Sequence, residues 1–119
     1  MANPVDLKQL IQLINDQKGL DTNLCLDSGC VIDAEDKNSL IKIINYFLNY
    51  LHQLSDKTME ISLDLMGSSI LMVLMSFTDK DSLPEISPNL KGALDSFKAK
   101  YELVHKAGNY VQIKIEFAK

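Results

Sequence analysis

The sequence predicts an α/β (α+β) protein: a two-layer sandwich with three helices packed on one face of a mixed, mostly antiparallel sheet. Three observations predict it. Apolar residues recur at three-four spacing in three separate stretches, the period of an amphipathic helix. In other stretches they alternate singly with polar residues, the period of a half-buried strand. One turn, Gly67-Ser68, joins an alternating run to a fully apolar run, which is how a hairpin reads.

Taken in order, Leu7, Leu10, Ile11 and Ile14 follow helical spacing, with Asn3-Pro4 as cap and first turn and Gly19 as stop. Leu20 to Leu26 reads as a strand ending at Asp27-Ser28-Gly29, and Cys30 to Ile32 as a further short strand. Asp33 to Asp36 supply capping carboxylates. The next helix carries Leu40, Ile43, Ile44, Phe47, Leu48, Leu51 and Leu54 on one stripe, the best-defined element of the chain. Ser55-Asp56-Lys57 closes it. Met59 to Leu65 alternates, and Ser69 to Phe77 reads as an apolar strand, unbroken from Ile70 to Met75. Thr78 to Ile86 is a polar loop. Ser87-Pro88 opens a predicted third helix with Leu90, Ala93, Leu94, Phe97, Tyr101 and Val104 on one stripe, stopped by Gly108-Asn109. Tyr110 to Phe117 alternates again. Ser62, Asp64, Gln112, Lys114 and Glu116 are expected on the sheet face away from the helices.

The totals narrow the function. At 119 residues, a single domain over 1–119 with a self-supporting core is expected. The formal net charge is −4, which disfavours nucleic acid as a partner. All 12 basic side chains are lysines, and arginine is the usual bidentate phosphate reader. Cys25 and Cys30 lack companion ligands at metal spacing, so thiols buried in a reducing cytoplasm are expected, with a local disulfide as the other reading. Neither a signal peptide nor a membrane span is legible, so the expectation is a cytoplasmic chain with no membrane partner. Met59, Met66, Met72 and Met75 are expected as core fillers.

Three segments carry a family likeness: Val5-Asp6-Leu7, Asp33 ahead of Leu40, and the helix Leu40, Ile43, Ile44, Tyr46, Phe47, Leu48, Tyr50, Leu51. With the element order, they resemble the ATPase domain of histidine kinases, the Bergerat fold. That family's helix runs Leu-x-x-hydrophobic-hydrophobic-x-Asn-Leu-Leu-x-Asn-Ala. Every apolar position is met, and both asparagine positions are tyrosine. In the family these asparagines help hold Mg²⁺ against the triphosphate, a task for small oxygen ligands. The family's Asp-x-Gly-x-Gly becomes Asp79-Lys80-Asp81 with no glycine, and its glycine-rich lid becomes the glycine-free Asp81 to Pro88. The resemblance thus implies the fold without the nucleotide chemistry: a pseudo-ATPase with no cofactor and no metal.

Function follows as an expectation. A non-catalytic interaction or regulatory domain is implied, an adaptor in bacterial two-component signalling, with a response regulator or sensor kinase as protein partner. A homodimer through an uncovered sheet face or strand edge stays open. Interaction candidates are Tyr46, Tyr50 and His52; the tyrosines either form a docking surface or plug the vacated cleft. His52 has no acid beside it, as a phosphoacceptor would want, and His105 suits the end of the last helix. The alternative is a residual ATP/Mg-binding domain or weak ATPase. It uses Asp79 for the adenine and the pair Asn45 and Asn49 for Mg²⁺, by a one-residue slide that rotates the apolar stripe about 100°. Without that slide, Asn45 and Asn49 read as solvated, and Asp79 and Asp81 as turn residues.

Overall fold

A computed structural model describes residues 3–118, with the backbone alone at position 3; the chain's opening, read above for a signal peptide, lies partly outside them. The described elements run β1 (Asn3–Asp6), α1 (Leu7–Lys18), β2 (Thr22–Leu26), β3 (Val31–Ala34), α2 (Lys37–His52), β4 (Met59–Met66), β5 (Ser69–Phe77), α3 (Asn89–Asp95), β6 (Ala99–Lys106) and β7 (Tyr110–Ala118). The main sheet has the order β2-β4-β5-β7-β6. Only the β2·β4 pair is parallel. β1 and β3 form a separate antiparallel pair.

The period-2 pattern settles which sheet face is covered. Met59, Ile61 and Leu63 on β4, Ile70, Met72, Leu74 and Ser76 on β5, and Val111, Ile113, Ile115 and Phe117 on β7 are all buried. Against them pack the stripes of the three helices: Leu10, Ile11 and Ile14 from α1; Leu40, Ile44, Phe47 and Leu51 from α2; Leu90 and Leu94 from α3. Each such large apolar side chain contributes about 1.5–3 kcal/mol on burial, so this one layer carries the fold. The opposite face shows Ser62, Asp64, Gln112, Lys114 and Glu116, as their alternation requires.

Local chemistry explains the helix ends. Asp6 caps α1, its carboxylate accepting from the Lys8 and Gln9 amides at 3.0 and 3.4 Å. Asp36 does the same for α2 through Asn38, Ser39 and the Ser39 hydroxyl at 2.7 Å. Gly19 ends α1 at φ 60, a left-handed conformation that costs any side chain with a Cβ.

Five sequence expectations are corrected. Asn3-Pro4 is not a helix cap; it begins β1, and the cap falls at Asp6. The third helix is shorter than its stripe predicts. It ends at Asp95, Lys98 turns left-handed at φ 54, and Tyr101 and Val104 belong to strand β6. The reason is non-local: Ala99–Lys106 alternates as well as it spirals, and a hairpin to β7 closed by Gly108 satisfies its backbone. His105 therefore sits on a strand rather than at a helix end. Among the thiols, Cys30 is buried but Cys25 is exposed on β2. Among the methionines, Met59 and Met72 fill the core while Met66 stands exposed at the β4–β5 turn.

Candidate functional site

Helix α2 places Tyr46 and Tyr50 one turn apart on a single face. That face looks onto the segment joining β5 to α3, residues 78–88, here called the strap. Tyr50 Oη donates to the Pro84 carbonyl at 2.7 Å. The Ser87 amide donates to Tyr46 Oη at 2.8 Å. Leu83 and Ile86 of the strap pack inward against the core. The strap is thus held down by two phenols at its α3 end.

Its β5 end is fastened separately. Thr78 is buried; its hydroxyl donates to the Leu54 carbonyl at 3.1 Å and accepts from the Lys80 amide at 3.2 Å. The Thr78 amide donates to Asn109 in the β6–β7 turn at 3.0 Å. His105 Nε2 lies 3.1 Å from the Lys80 carbonyl, so that nitrogen carries the proton and donates. The groups of the strap bonded by Tyr46, Tyr50 and His105 are all backbone. Side-chain identity within the strap is therefore little constrained by these bonds, and Asp79, Asp81 and Glu85 all face solvent.

The phenols sit in an aromatic cluster. Tyr46 meets Phe47 edge to face at 5.9 Å between ring centres, and Phe47 meets Tyr101 of β6 at 5.4 Å. Tyr50 is only 3% exposed. Burial, and then the neighbouring Tyr46 and Tyr101, push its hydroxyl pKa above the ordinary tyrosine range. At neutral pH it is a neutral donor, which is the form that its bond to Pro84 requires.

The remaining predicted residues are scattered. Asn49 is exposed, and its Oδ1 accepts from Lys18 Nζ of α1 at 3.0 Å. Asn45 shares that side of α2, one turn earlier. It is not the solvated residue expected: its Oδ1 is buried and, among the described residues, finds no hydrogen-bond partner. Asp79 is exposed, and among the described residues no hydrogen bond or ion pair joins it to either asparagine. His52 is exposed in the last turn of α2. Among the described residues, no group of three or more His, Cys, Asp or Glu converges as a metal site would need.

The roles of three residues here were not found from sequence: Ser76, Thr78 and His105. Ser76 and Thr78 continue the buried even-numbered phase of Ile70, Met72 and Leu74, but the odd positions of that run are apolar as well, so the phase shows only once the sheet is assembled. Ser76 Oγ is fully buried and, among the described residues, has no hydrogen-bond partner. His105 could not be found while β6 was read as helix.

No protein-family model and no curated protein matches the sequence. Solved structures do match in shape. The histidine kinase domain of the E. coli osmosensor EnvZ superposes with TM-score 0.77 at 9% identity, over 99% of this chain and 89% of that one. The histidine kinase AdeS of Acinetobacter baumannii gives 0.74 at 12% identity, over 99% of this chain and 67% of that one. The histidine kinase ThkA in complex with the response regulator protein TrrA gives 0.67 at 14% identity, over 99% of this chain and 42% of that one. Among the described residues no helix is long and apolar enough to cross a membrane. With three helices on one face of a mixed five-stranded sheet, and these superpositions over almost its whole length, the chain has the fold of histidine kinase catalytic domains.

Proposed function

We propose that this chain is a non-catalytic, cytoplasmic interaction or regulatory module built on the histidine kinase ATPase fold, a pseudo-ATPase serving bacterial two-component signalling. The observation that carries the reading is the pair of phenol bonds. Tyr46 and Tyr50 occupy the positions where the resemblance calls for asparagines, and both spend their hydroxyls on strap backbone. A neutral phenol is a poor ligand for a hard cation, and these two are engaged. The strap has no glycine between Thr78 and Pro88, so its backbone lacks the freedom to cradle phosphates. The tyrosines thus act as plugs of a closed cleft rather than as ligands.

The partner class is a response regulator or a sensor kinase. Support comes from the fold and from the histidine kinase ThkA, which is found in complex with the response regulator protein TrrA. Tyr46 and His52 lie along the C-terminal half of α2, half-buried and exposed respectively, and belong to the candidate surface.

A residual nucleotide site is the second reading, and one observation favours it: Asn45 Oδ1 is a buried acceptor with no hydrogen-bond partner among the described residues. Titration with a fluorescent ATP analogue and Mg²⁺ separates the two. The expected result is no saturable binding below the millimolar range. Micromolar binding that Asn49→Ala abolishes would overturn the proposal.

A further inference from the structure

Within the described sheet, β2 and β6 each have one edge with no neighbouring strand. The Met59 amide donates to Asp21 O, and the Asp27 amide to Leu63 O, both at 3.0 Å. The parallel ladder therefore uses the odd residues of β2 inward, and Thr22, Leu24 and Leu26 turn their N–H and C=O groups outward. On the far side, the Ala118 amide donates to Lys98 O at 3.1 Å, which puts the even residues of β6 in hydrogen-bonded pairs with β7. Tyr101, Leu103 and His105 face outward.

The two free edges match. One parallel and three antiparallel steps across the sheet leave β6 running opposite to β2. A second copy displaced sideways thus sets its β6 antiparallel to β2, with helices on the same side. The outward groups then pair Thr22 with His105, Leu24 with Leu103 and Leu26 with Tyr101 of the next copy. All six side chains lie on the helix-covered face. In the same register Asp21 stands opposite Lys106 and Asp27 opposite Lys100, all exposed on the open face. The acids are spaced as the lysines are.

Like edges do not match. β2 against β2 in full register sets Asp21 on Asp27, and β6 against β6 sets Lys100 on Lys106. Like charges directly opposite are destabilising. β2 itself carries neither charge nor proline, the usual guards of an open edge, and its Leu24 is 37% exposed. The present engagements of the flanking charges are slight. Lys100 lies 3.4 Å from Glu116 while 80% exposed, and Asp21 and Asp27 each accept one hydrogen bond through one oxygen.

We propose that the chain associates head to tail with copies of itself, β6 of one adding antiparallel to β2 of the next. Such a heterologous joint closes into a ring or grows as a filament. It does not depend on the two-component reading.

The test uses the exposed Cys25, which the register places opposite residue 102 of the next copy in a non-hydrogen-bonded pair. The Cα separation there is about 4.5 Å, within disulfide reach. Oxidised Glu102→Cys should give covalent species beyond the dimer, or one band at a ring's mass, reversed by reductant and lost when Cys25→Ser is added. By light scattering the unmodified chain should associate with rising concentration, and less so in high salt. Asp27→Lys should abolish this, and Asp27→Lys with Lys100→Asp should restore it. All these sites are exposed, and an unchanged circular dichroism spectrum confirms that each variant folds. A single-chain mass at the highest soluble concentration would overturn the proposal, as would crosslinks that persist in Cys25→Ser.

Discussion

Tyr50→Phe isolates the bond that ties the strap to α2. The substitution keeps the buried ring and deletes only the donor to Pro84 O. Pro84 is exposed, so its carbonyl regains water. The expected loss is that of one net hydrogen bond, about 1 kcal/mol. Tyr50→Ala also removes a ring that is 3% exposed, and truncating a buried aromatic brings the total to about 4 kcal/mol. For a chain of this length, 1 kcal/mol corresponds to a fall in Tm of about 4 °C.

Urea denaturation at several pH values gives both numbers and adds a sign. The Tyr50 pKa is raised above 10.0 in the folded chain, mainly by burial. The folded state then holds that proton more tightly than the unfolded one. The contribution is complete below pH 10 and is lost as pH climbs through the raised value. The stability gap between the parent chain and Tyr50→Phe should therefore narrow in alkali. Amide exchange supplies a control: Tyr46→Phe should quicken exchange at Ser87, whose amide loses its acceptor. Equal stability of Tyr50→Phe and the parent at neutral pH, with Tyr50→Ala costing under about 1 kcal/mol, would refute the claim that the phenol holds the strap.

Three further outcomes are expected. Ser76→Ala removes a buried hydroxyl that has no partner and should be neutral or stabilising by up to about 1 kcal/mol in urea; a loss of that size would mean the hydroxyl is in use. Ser39→Ala should raise the Asp36 pKa in an NMR titration, because the Ser39 hydroxyl and then its amide are the main causes holding it below 3.8. Asp36 stabilises the fold above that value and ceases to as pH falls through its lowered pKa; an unmoved titration would remove the Ser39 hydroxyl bond from the account and leave the two amide bonds of the cap. Gly19→Ala places a Cβ on a left-handed residue with open space around it, so conformational strain alone should cost about 1 kcal/mol by thermal melt.

Much of this architecture could be read along the chain, and its misses share a cause. α2, β4 and β7 were legible because each shows one period over seven or more residues, and β5 because its apolar run follows directly on the Gly67-Ser68 turn. β1 is four residues long, too short to show a period, and its pairing to β3 spans a helix. Residues 99–106 suit both periods. Tyr101 and Val104 extend a helical stripe as readily as Ala99, Tyr101 and Leu103 form an alternation. Pairing with β7 broke that tie.

The candidate site divides the same way. Composition and order alone established that Tyr46 and Tyr50 share a helical face, that both asparagine positions of the resemblance are lost, and that the strap has no glycine. These facts hold wherever the chain goes, because they follow from residue identity and the helical repeat. Folding decided what the phenols do. Their partners, Pro84 O and Ser87 N, lie 34 and 41 residues away and are backbone groups, which leave no trace in side-chain identity. The stranding of Asn45 Oδ1 and the burial of Thr78 were likewise decided by which element packed over which. Burial belongs to the assembled layers, and no segment carries it by itself.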